Sequence, residues 1–454
     1  MIKSLLIKLL PERLLNLYHF IIANIAAFIY GHPSERLIVI GVTGTNGKSS
    51  TVNYIGQLLE HTGHRVGWTS TASFKVGPRQ WINNQKMTML GRFQTQKFLC
   101  RMVDDGCTHA IIETSSQGIV QSRHVGINYD VVVFTNLTPE HLEAHKGFEN
   151  YKRAKGDLFI HTAHSPEKVF SGKIMEKKAV VNFDDEHASF FLSLGIKKQF
   201  AFGVEGRGRK EFTLTDHWET VLVKQLETTS AGSTFRIDGF DFNFQPLGLF
   251  NVYNALCAIT TLRALDIPWL TIRDAVQILQ PVPGRMERID AGQPFSVFVD
   301  YAYEPVALSA LYEALALLGQ GRIIHVLGSA GGGRDISRRP LLGEMAAKHD
   351  DIVIVTNEDP YDDDPREIID QVAQGALAAG KVEDKSLFKI LDRRAAIEKA
   401  VTLAGSKDLV LLTGKGSEPV MAVAHGKKIP WDDRVVVREI LHKLGYADSP
   451  ADPT

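Results

Sequence analysis

Residues Gly41–Ser50 read GVTGTNGKSS, between the apolar run RLIVI and a helix-like stretch. Gly44 and Gly47 allow backbone N–H groups to approach phosphate oxygens, with Thr45 and Asn46 completing the turn. Lys48 would neutralise β- and γ-phosphates. The Ser49 hydroxyl suits Mg²⁺, and the helix starting near Ser49 and Ser50 adds its positive end. Val42 stands where the first glycine of the longer phosphate loop would be, so this is a shorter cradle. The strand-like run HAIIE delivers Glu113 at its carboxyl end, and His141 follows another strand end in TNLTPEHLEAH. Either residue alone is more often an ordinary loop residue. Beside a phosphate loop they become a candidate metal pair.

These residues need a frame that collects strand ends. RLIVIGV, HAIIE, DVVVFTN and KAVVNFDD read as buried strands, each followed by polar residues, which is the pattern of a mainly parallel α/β sheet. Between Phe212 and Phe244 the alternation predicts antiparallel hairpins forming a satellite sheet. NVYNALCAITTLRAL predicts a helix on the core. PVPGRMER reads as a hinge, after which FSVFVD, RIIHVLG, DIVIVTN and DLVLLTG restart a Rossmann-like alternation. Ligands of such folds bind at the strands' carboxyl ends.

The 454 residues, 44% hydrophobic and 23% charged, suffice for two or three cores. A net charge of -1 gives no electrostatic reason to expect nucleic acid. Cys100, Cys107 and Cys257 form no CxxC pair, which fits a reducing cytoplasm and no cysteine zinc site. The first 30 residues are apolar with Lys3, Lys8 and Arg13 interspersed. Asn16, His19 and Asn24 interrupt the run of about 20 apolar residues that a spanning helix needs. The segment suits a helix docked on the body or one lying at the inner membrane face, and periodicity does not separate the two.

GTNGKSS, ETSSQG, FTNLTPEHLEAH with YKRAK, FNVYNA, PVPGRMER, DYAYEP, GRDISRRP and GKGSE occur in the order found in Mur ligases. The chain resembles that family from Leu37 onward, and most closely its MurE type, the UDP-N-acetylmuramyl-tripeptide synthetases. The resemblance implies three segments: N-terminal helices over 1–36, a P-loop-type central ATPase domain with a mainly parallel sheet over 37–281, and a Rossmann-like domain over 282–454. It implies an ATP- and Mg²⁺-dependent ligase that adds an amino acid to a muramyl-peptide through an acyl phosphate. Residue by residue, Lys48 and its loop would hold ATP with Ser49 on Mg²⁺, and Glu113 and His141 would bind a second Mg²⁺. Lys155 of YKRAK matches a lysine that the family carbamylates. Asn251 and Asn254 would lie near adenine, with Arg285 and Asp300 reaching the nucleotide. Thr88, Ser115 and Arg123 match positions that hold the muramyl-peptide, and Gly414 and Glu418 match positions near the incoming amino acid.

Three departures qualify these expectations. Only some 36 residues precede the ATPase core where the family has a uridine-binding domain, so the acceptor is expected to be UDP- or lipid-linked. EDPYDDDP replaces DNPR, with Tyr361 at the position of the arginine that grips diaminopimelate. The loss of that bidentate clamp, beside Glu358, Asp359, Asp362 and Asp363, favours a distal ammonium such as that of lysine or ornithine. The same acids would also suit a solvated helix N-terminus. Finally, Tyr303, Gln117 and Ser417 stand where the family has histidines. The competing readings are a folylpolyglutamate synthetase-like ligase, a MurT-like amidating subunit and a non-catalytic membrane-associated ATP-binding scaffold.

Overall fold

The protein is described by a computed structural model over residues 11–140, 142–207, 218–319 and 321–446. Lys3, Lys8 and His141 lie outside the described residues.

Two sheets carry the architecture. The first contains β1 (Ile38–Thr43), β2 (Val66–Thr69), β3 (Ser73–Val76), β4 (Arg79–Ile82), β5 (His109–Glu113) and β6 (Val131–Phe134). After a small hairpin, β7 (Lys168–Phe170) and β8 (Lys173–Met175), it continues with β9 (Lys178–Asn182), β10 (Lys198–Val204), β11 (Trp218–Thr229), β12 (Gly232–Ile237) and β13 (Phe240–Phe244). Its order is β13-β12-β11-β10-β9-β6-β1-β5-β2-β3-β4, eleven strands. From β11 to β2 the pairing is parallel, and both edges are antiparallel. The antiparallel unit expected around 212–244 forms over the described residues 218–244. The twelve-residue β11 pairs in parallel with β10 and splices it into the main sheet.

Alternate residues of β1 enter opposite cores: Ile40 and Val42 pack with the helices Lys48–His61 and Leu249–Ala264, and Val39 packs with the helix Phe148–His164. Burial on both faces explains the unbroken apolar runs of these strands.

The second sheet has the order β14-β15-β19-β16-β17-β18: β14 (Glu287–Ile289), β15 (Ser296–Val299), β16 (Ile323–Leu327), β17 (Ile352–Thr356), β18 (Leu387–Ile390) and β19 (Leu409–Leu412). The hairpin of β20 (Val420–Val423) and β21 (Lys427–Pro430) stands beside it. The four strands predicted from sequence, β15, β16, β17 and β19, are contiguous, so their carboxyl ends form one rim.

At the N-terminus, the helix Glu12–Ile29 docks through Ala23, Ala26 and Ala27. Gly126 admits this contact, because a Cβ there would meet that of Ala27 at 2.8 Å. The rest of the helix leaves Leu17, Phe20, Phe28 and Ile29 exposed, Phe28 by 77%. Among the described residues, no helix is long and apolar enough to cross a membrane.

Candidate active site

The loop after β1 is shaped by what surrounds it. A Cβ on Gly44 would lie 1.9 Å from Thr135 Oγ1, and one on Gly47 would lie 2.1 Å from Asn254 Oδ1. Gly47 also has φ of 79° and caps the helix Lys48–His61. Both glycines are therefore demanded by close approach. The backbone N–H groups of Thr45 and Asn46 donate to Asn136 O and Oδ1, both at 2.8 Å. Thr45 Oγ1 lies 3.1 Å from Tyr151 OH. Lys48 Nζ donates to Thr45 O at 2.6 Å.

Hard oxygen donors meet beside this loop. Buried Glu113 accepts from Ser49 Oγ at 2.8 Å, from Thr71 N at 2.6 Å and from Thr71 Oγ1 at 3.1 Å. Thr71 Oγ1 also lies 3.0 Å from Thr88 Oγ1, whose hydroxyl can donate to it. Lys155, from the helix Phe148–His164, is fully buried and donates to Gly44 O at 2.6 Å. Burial, reinforced by Lys48, holds its amine well below the usual lysine pKa.

The second domain closes the other side. Arg285 Nη2 lies 3.4 Å from Ser49 Oγ, its guanidinium stacks 4.1 Å from the Tyr301 ring centroid, and its buried Nη1 has no hydrogen-bond partner. Asp300 spends one oxygen on the hinge and one on its own turn, accepting from Met286 N and Ala302 N at 2.6 Å each. Burial raises its carboxyl pKa against the opposing pull of Arg285. Two further bonds cross between domains: Asn46 Nδ2 to Glu304 Oε1 at 2.9 Å and Tyr303 OH to Glu140 Oε1 at 2.7 Å. Tyr303, at one of the missing histidines, thus serves as an inter-domain donor.

Two cavities result, of about 410 and 270 Å³. The first takes in the phosphate loop, Glu113, Lys155, Asn254, Arg285 and Asp300. Arg123, Glu358, Asp359, Tyr361, Gly414 and Glu418 line the second. Thr71, Thr88, Ser115, Ser116, Tyr301 and Tyr303 line both, so the cavities meet there. Ser115 caps the short helix Ser116–Val120. Arg123 is held by Gln121 Oε1 at 2.6 Å and by the Met89 carbonyl. Asn251 stands one turn behind the first cavity, accepting from Asn254 Nδ2 at 3.3 Å.

The acids of EDPYDDDP are largely committed. Asp359 accepts from Lys415 Nζ at 3.0 Å, from Ala422 N at 2.6 Å and from Lys86 Nζ. Burial alone would raise its carboxyl pKa, but Lys415 and Lys86 turn the shift downward. Asp362 accepts from His425 N at 2.7 Å, and Asp363 from Gly332 N at 3.2 Å. Both carboxylates thus help to fix the loops around them. Glu358 is buried, and its Oε2 has no partner. An added Cβ on Gly414 would come within 2.2 Å of that oxygen.

Sequence reasoning missed Thr71, Lys86, Lys415 and Arg334. Lys415 and Arg334 lie inside the quoted GKGSE and GRDISRRP segments. Thr71 and Lys86 carry no sequence signal, because only the folding of β2 to β4 brings them here.

The residues present fit a nucleoside triphosphate with Mg²⁺: a glycine cradle, a lysine, an unpartnered arginine nitrogen, and a hydroxyl and carboxylate of the hard-oxygen type that Mg²⁺ prefers. Fold and site together define a phosphate-loop ATPase domain joined to a Rossmann-like domain, the build of a nucleotide-dependent ligase. The sequence profile of the Mur ligase middle domain matches residues 42–262, and that of the Mur ligase glutamate ligase domain matches 284–416. A UDP-N-acetylmuramyl-tripeptide synthetase of Roseiflexus sp. is 38% identical over 432 residues, 94% of this chain and 82% of that protein. A UDP-N-acetylmuramoyl-L-alanyl-D-glutamate--2,6-diaminopimelate ligase of Caldanaerobacter subterraneus is 34% identical, over 92% of this chain and 81% of its own. A solved structure of a ligase of the latter name superposes with a TM-score of 0.56 at 28% identity, covering 90% of this chain and 79% of the other. The chain belongs to the Mur ligase family. It is an ATP-dependent ligase that forms an amide bond in peptidoglycan precursor synthesis, and ligases of this family use ATP and Mg²⁺.

Proposed function

We propose that this ligase joins a diamino acid, lysine or ornithine, to a muramyl-dipeptide carried on UDP or on a lipid. The observation that carries the reading is the junction of the two cavities at Thr71, Thr88 and Ser115. ATP takes the first cavity, with its phosphates on residues 44–50 and Arg285 and its adenine toward Asn254 and Asn251. Asp300 keeps the hinge in register for Arg285. The acceptor's peptide lies along Thr88, Ser115 and Arg123, which places its terminal carboxylate at the junction, within reach of the γ-phosphorus.

The carboxylate oxygen attacks that phosphorus, the β–γ P–O bond breaks, and an acyl phosphate and ADP form. The neutral amine of the incoming amino acid then attacks the acyl carbon. The C–O bond to phosphate breaks, the amine's proton is lost, and an amide and inorganic phosphate remain. Lys48 and Arg285 screen the approach of two anions. Ser49 would hold one Mg²⁺, and Glu113 and His141, with a carbamylated Lys155, a second, and the ions would supply further charge stabilisation. The neutral amine of Lys155 is the form that condenses with carbon dioxide.

The second cavity takes the amino acid, with Glu358, Asp359 and Glu418 as the acids for its distal ammonium and Arg334 as a cation for its carboxylate. We place the division of the two catalytic domains at the hinge near residue 282. The enzyme works in the cytoplasm, and the exposed apolar helix Glu12–Ile29 rests at the inner membrane face.

A mass-resolved ligation assay tests this, crossing UDP-linked and lipid-linked muramyl-dipeptide with lysine, ornithine, diaminopimelate and neutral amino acids. A lysine or ornithine tripeptide is the expected product. Preference for diaminopimelate would sink the ammonium reading.

A further inference from the structure

Four charged side chains close a ring in the second cavity. Lys415 Nζ lies 3.0 Å from Asp359 and 2.8 Å from Glu418. Lys86 Nζ pairs with the same Asp359 and lies 3.3 Å from the same Glu418. Two ammoniums thus share two carboxylates, and the ring is neutral.

The lysines are not equivalent. Lys415 belongs to the same domain as the acids, is fully buried, and also donates to Val420 O at 2.9 Å. Lys86 comes from the other domain, just past β4, on a backbone with φ of 54°. Its ammonium holds the two carboxylates and faces the Tyr361 ring at 5.8 Å. Without Lys86 the ring would hold one lysine against two carboxylates, with a gap of ammonium size opening on the second cavity. A carboxylate left short of its cation in a buried site is strongly destabilised, so the gap demands a cation.

We propose that Lys86 is a specificity-determining residue whose ammonium occupies the subsite for the incoming amino acid's distal ammonium and must be displaced by it. The inference rests on reading the second cavity as the amino-acid site. A side chain bringing its own ammonium to Asp359 and Glu418 can replace Lys86 without loss of pairing. A neutral side chain of the same length cannot. Lys86 therefore acts as an internal competitor, and the affinity for the amino acid is what remains after its release.

The test uses the full-length enzyme, Lys86→Met and Lys86→Arg, with 1,5-diaminopentane as an ammonium probe in calorimetry and lysine, ornithine and norleucine in steady-state ligation. Lys86→Met should bind the probe about tenfold more tightly and lower KM for lysine by a similar factor, an effect of the size expected for one charge pair. Norleucine should gain nothing, Lys86→Arg, which keeps a cation in the subsite, should show no gain in probe binding, and adding Asp359→Asn should cancel the gain. Lys86→Gln serves the same comparison if the methionine variant does not fold. Unchanged or weaker probe and lysine binding in the neutral variants would overturn the proposal and leave Lys86 as a strut between domains. If diamino acids are ligated with a KM that Lys86 does not influence, the substrate reading survives and the competitor role fails. If the neutral variants gain probe binding while no diamino acid is ligated, the reverse holds.

Discussion

Lys155 Nζ donates to the carbonyl of Gly44 at 2.6 Å, so the helix Phe148–His164 ends a buried amine directly against the phosphate loop. That contact sets the amine beside the phosphate loop, near Lys48. Burial and the neighbouring cation both favour its neutral form.

The same contact predicts a trade between stability and function. The folded-state pKa of Lys155 lies below the ordinary lysine value, so its cost to folding is present below that ordinary value and fades as pH rises toward it. Lys155→Met should raise Tm at pH 7 while lowering ligation by about a hundredfold or more, the scale of losing a metal-site ligand's charge. Partial rescue of Lys155→Ala by added short-chain carboxylates would mark a carbamate. A variant with near-wild-type turnover would remove Lys155 from the chemistry.

Gly47→Ala should abolish ATP binding. The new methyl would lie 2.1 Å from Asn254 Oδ1 on a backbone of φ 79°, so the loop itself must shift or distort. Nucleotide titration by fluorescence checks this, with circular dichroism to show that the fold persists. Retained affinity would mean that the loop reshapes freely.

Tyr303→Phe removes the bond to Glu140 across the domain boundary. A hydrogen bond to a charged group contributes about 1.5–3 kcal/mol. We expect kcat/KM for ligation to fall roughly tenfold, with binding of ATP alone little affected. An equal loss in ATP affinity would place Tyr303 in the nucleotide site instead of in closure.

Phe28→Asp together with Ile29→Asp should reduce cosedimentation with anionic vesicles several-fold, since both residues project from an apolar helix surface. Ligation of a soluble acceptor should persist. Vesicle binding that these changes leave intact would return the helix to a purely structural role.

Much of this was legible along the chain because it depends on local order. A phosphate loop must follow a strand and open a helix, so GTNGKSS announced its own geometry. The strands β1, β5, β6 and β9 were visible as apolar runs because both faces of their sheet are covered. The hairpins β11 to β13 were visible as alternation, but their splice to the main sheet was not. That splice depends on the partner strand β10, about which the alternation says nothing.

The sequence by itself determined the chemistry on offer: a short phosphate cradle, a lysine and carboxylate set, a hinge, and a second α/β unit. Those follow from residue type and spacing, which fix backbone conformation over a few residues. Only the tertiary structure decided how the charges are spent. Residue types left open whether the acids of EDPYDDDP face a ligand or a solvated helix N-terminus; in the fold Asp362 and Asp363 accept backbone N–H bonds, and Asp359 is paired with Lys415 and Lys86. Lys86 and Asp359 are 273 positions apart, and nothing in either segment points to the other. Coulomb attraction acts through space and is strongest where water is excluded, so the pairing exists only once two domains have folded and met.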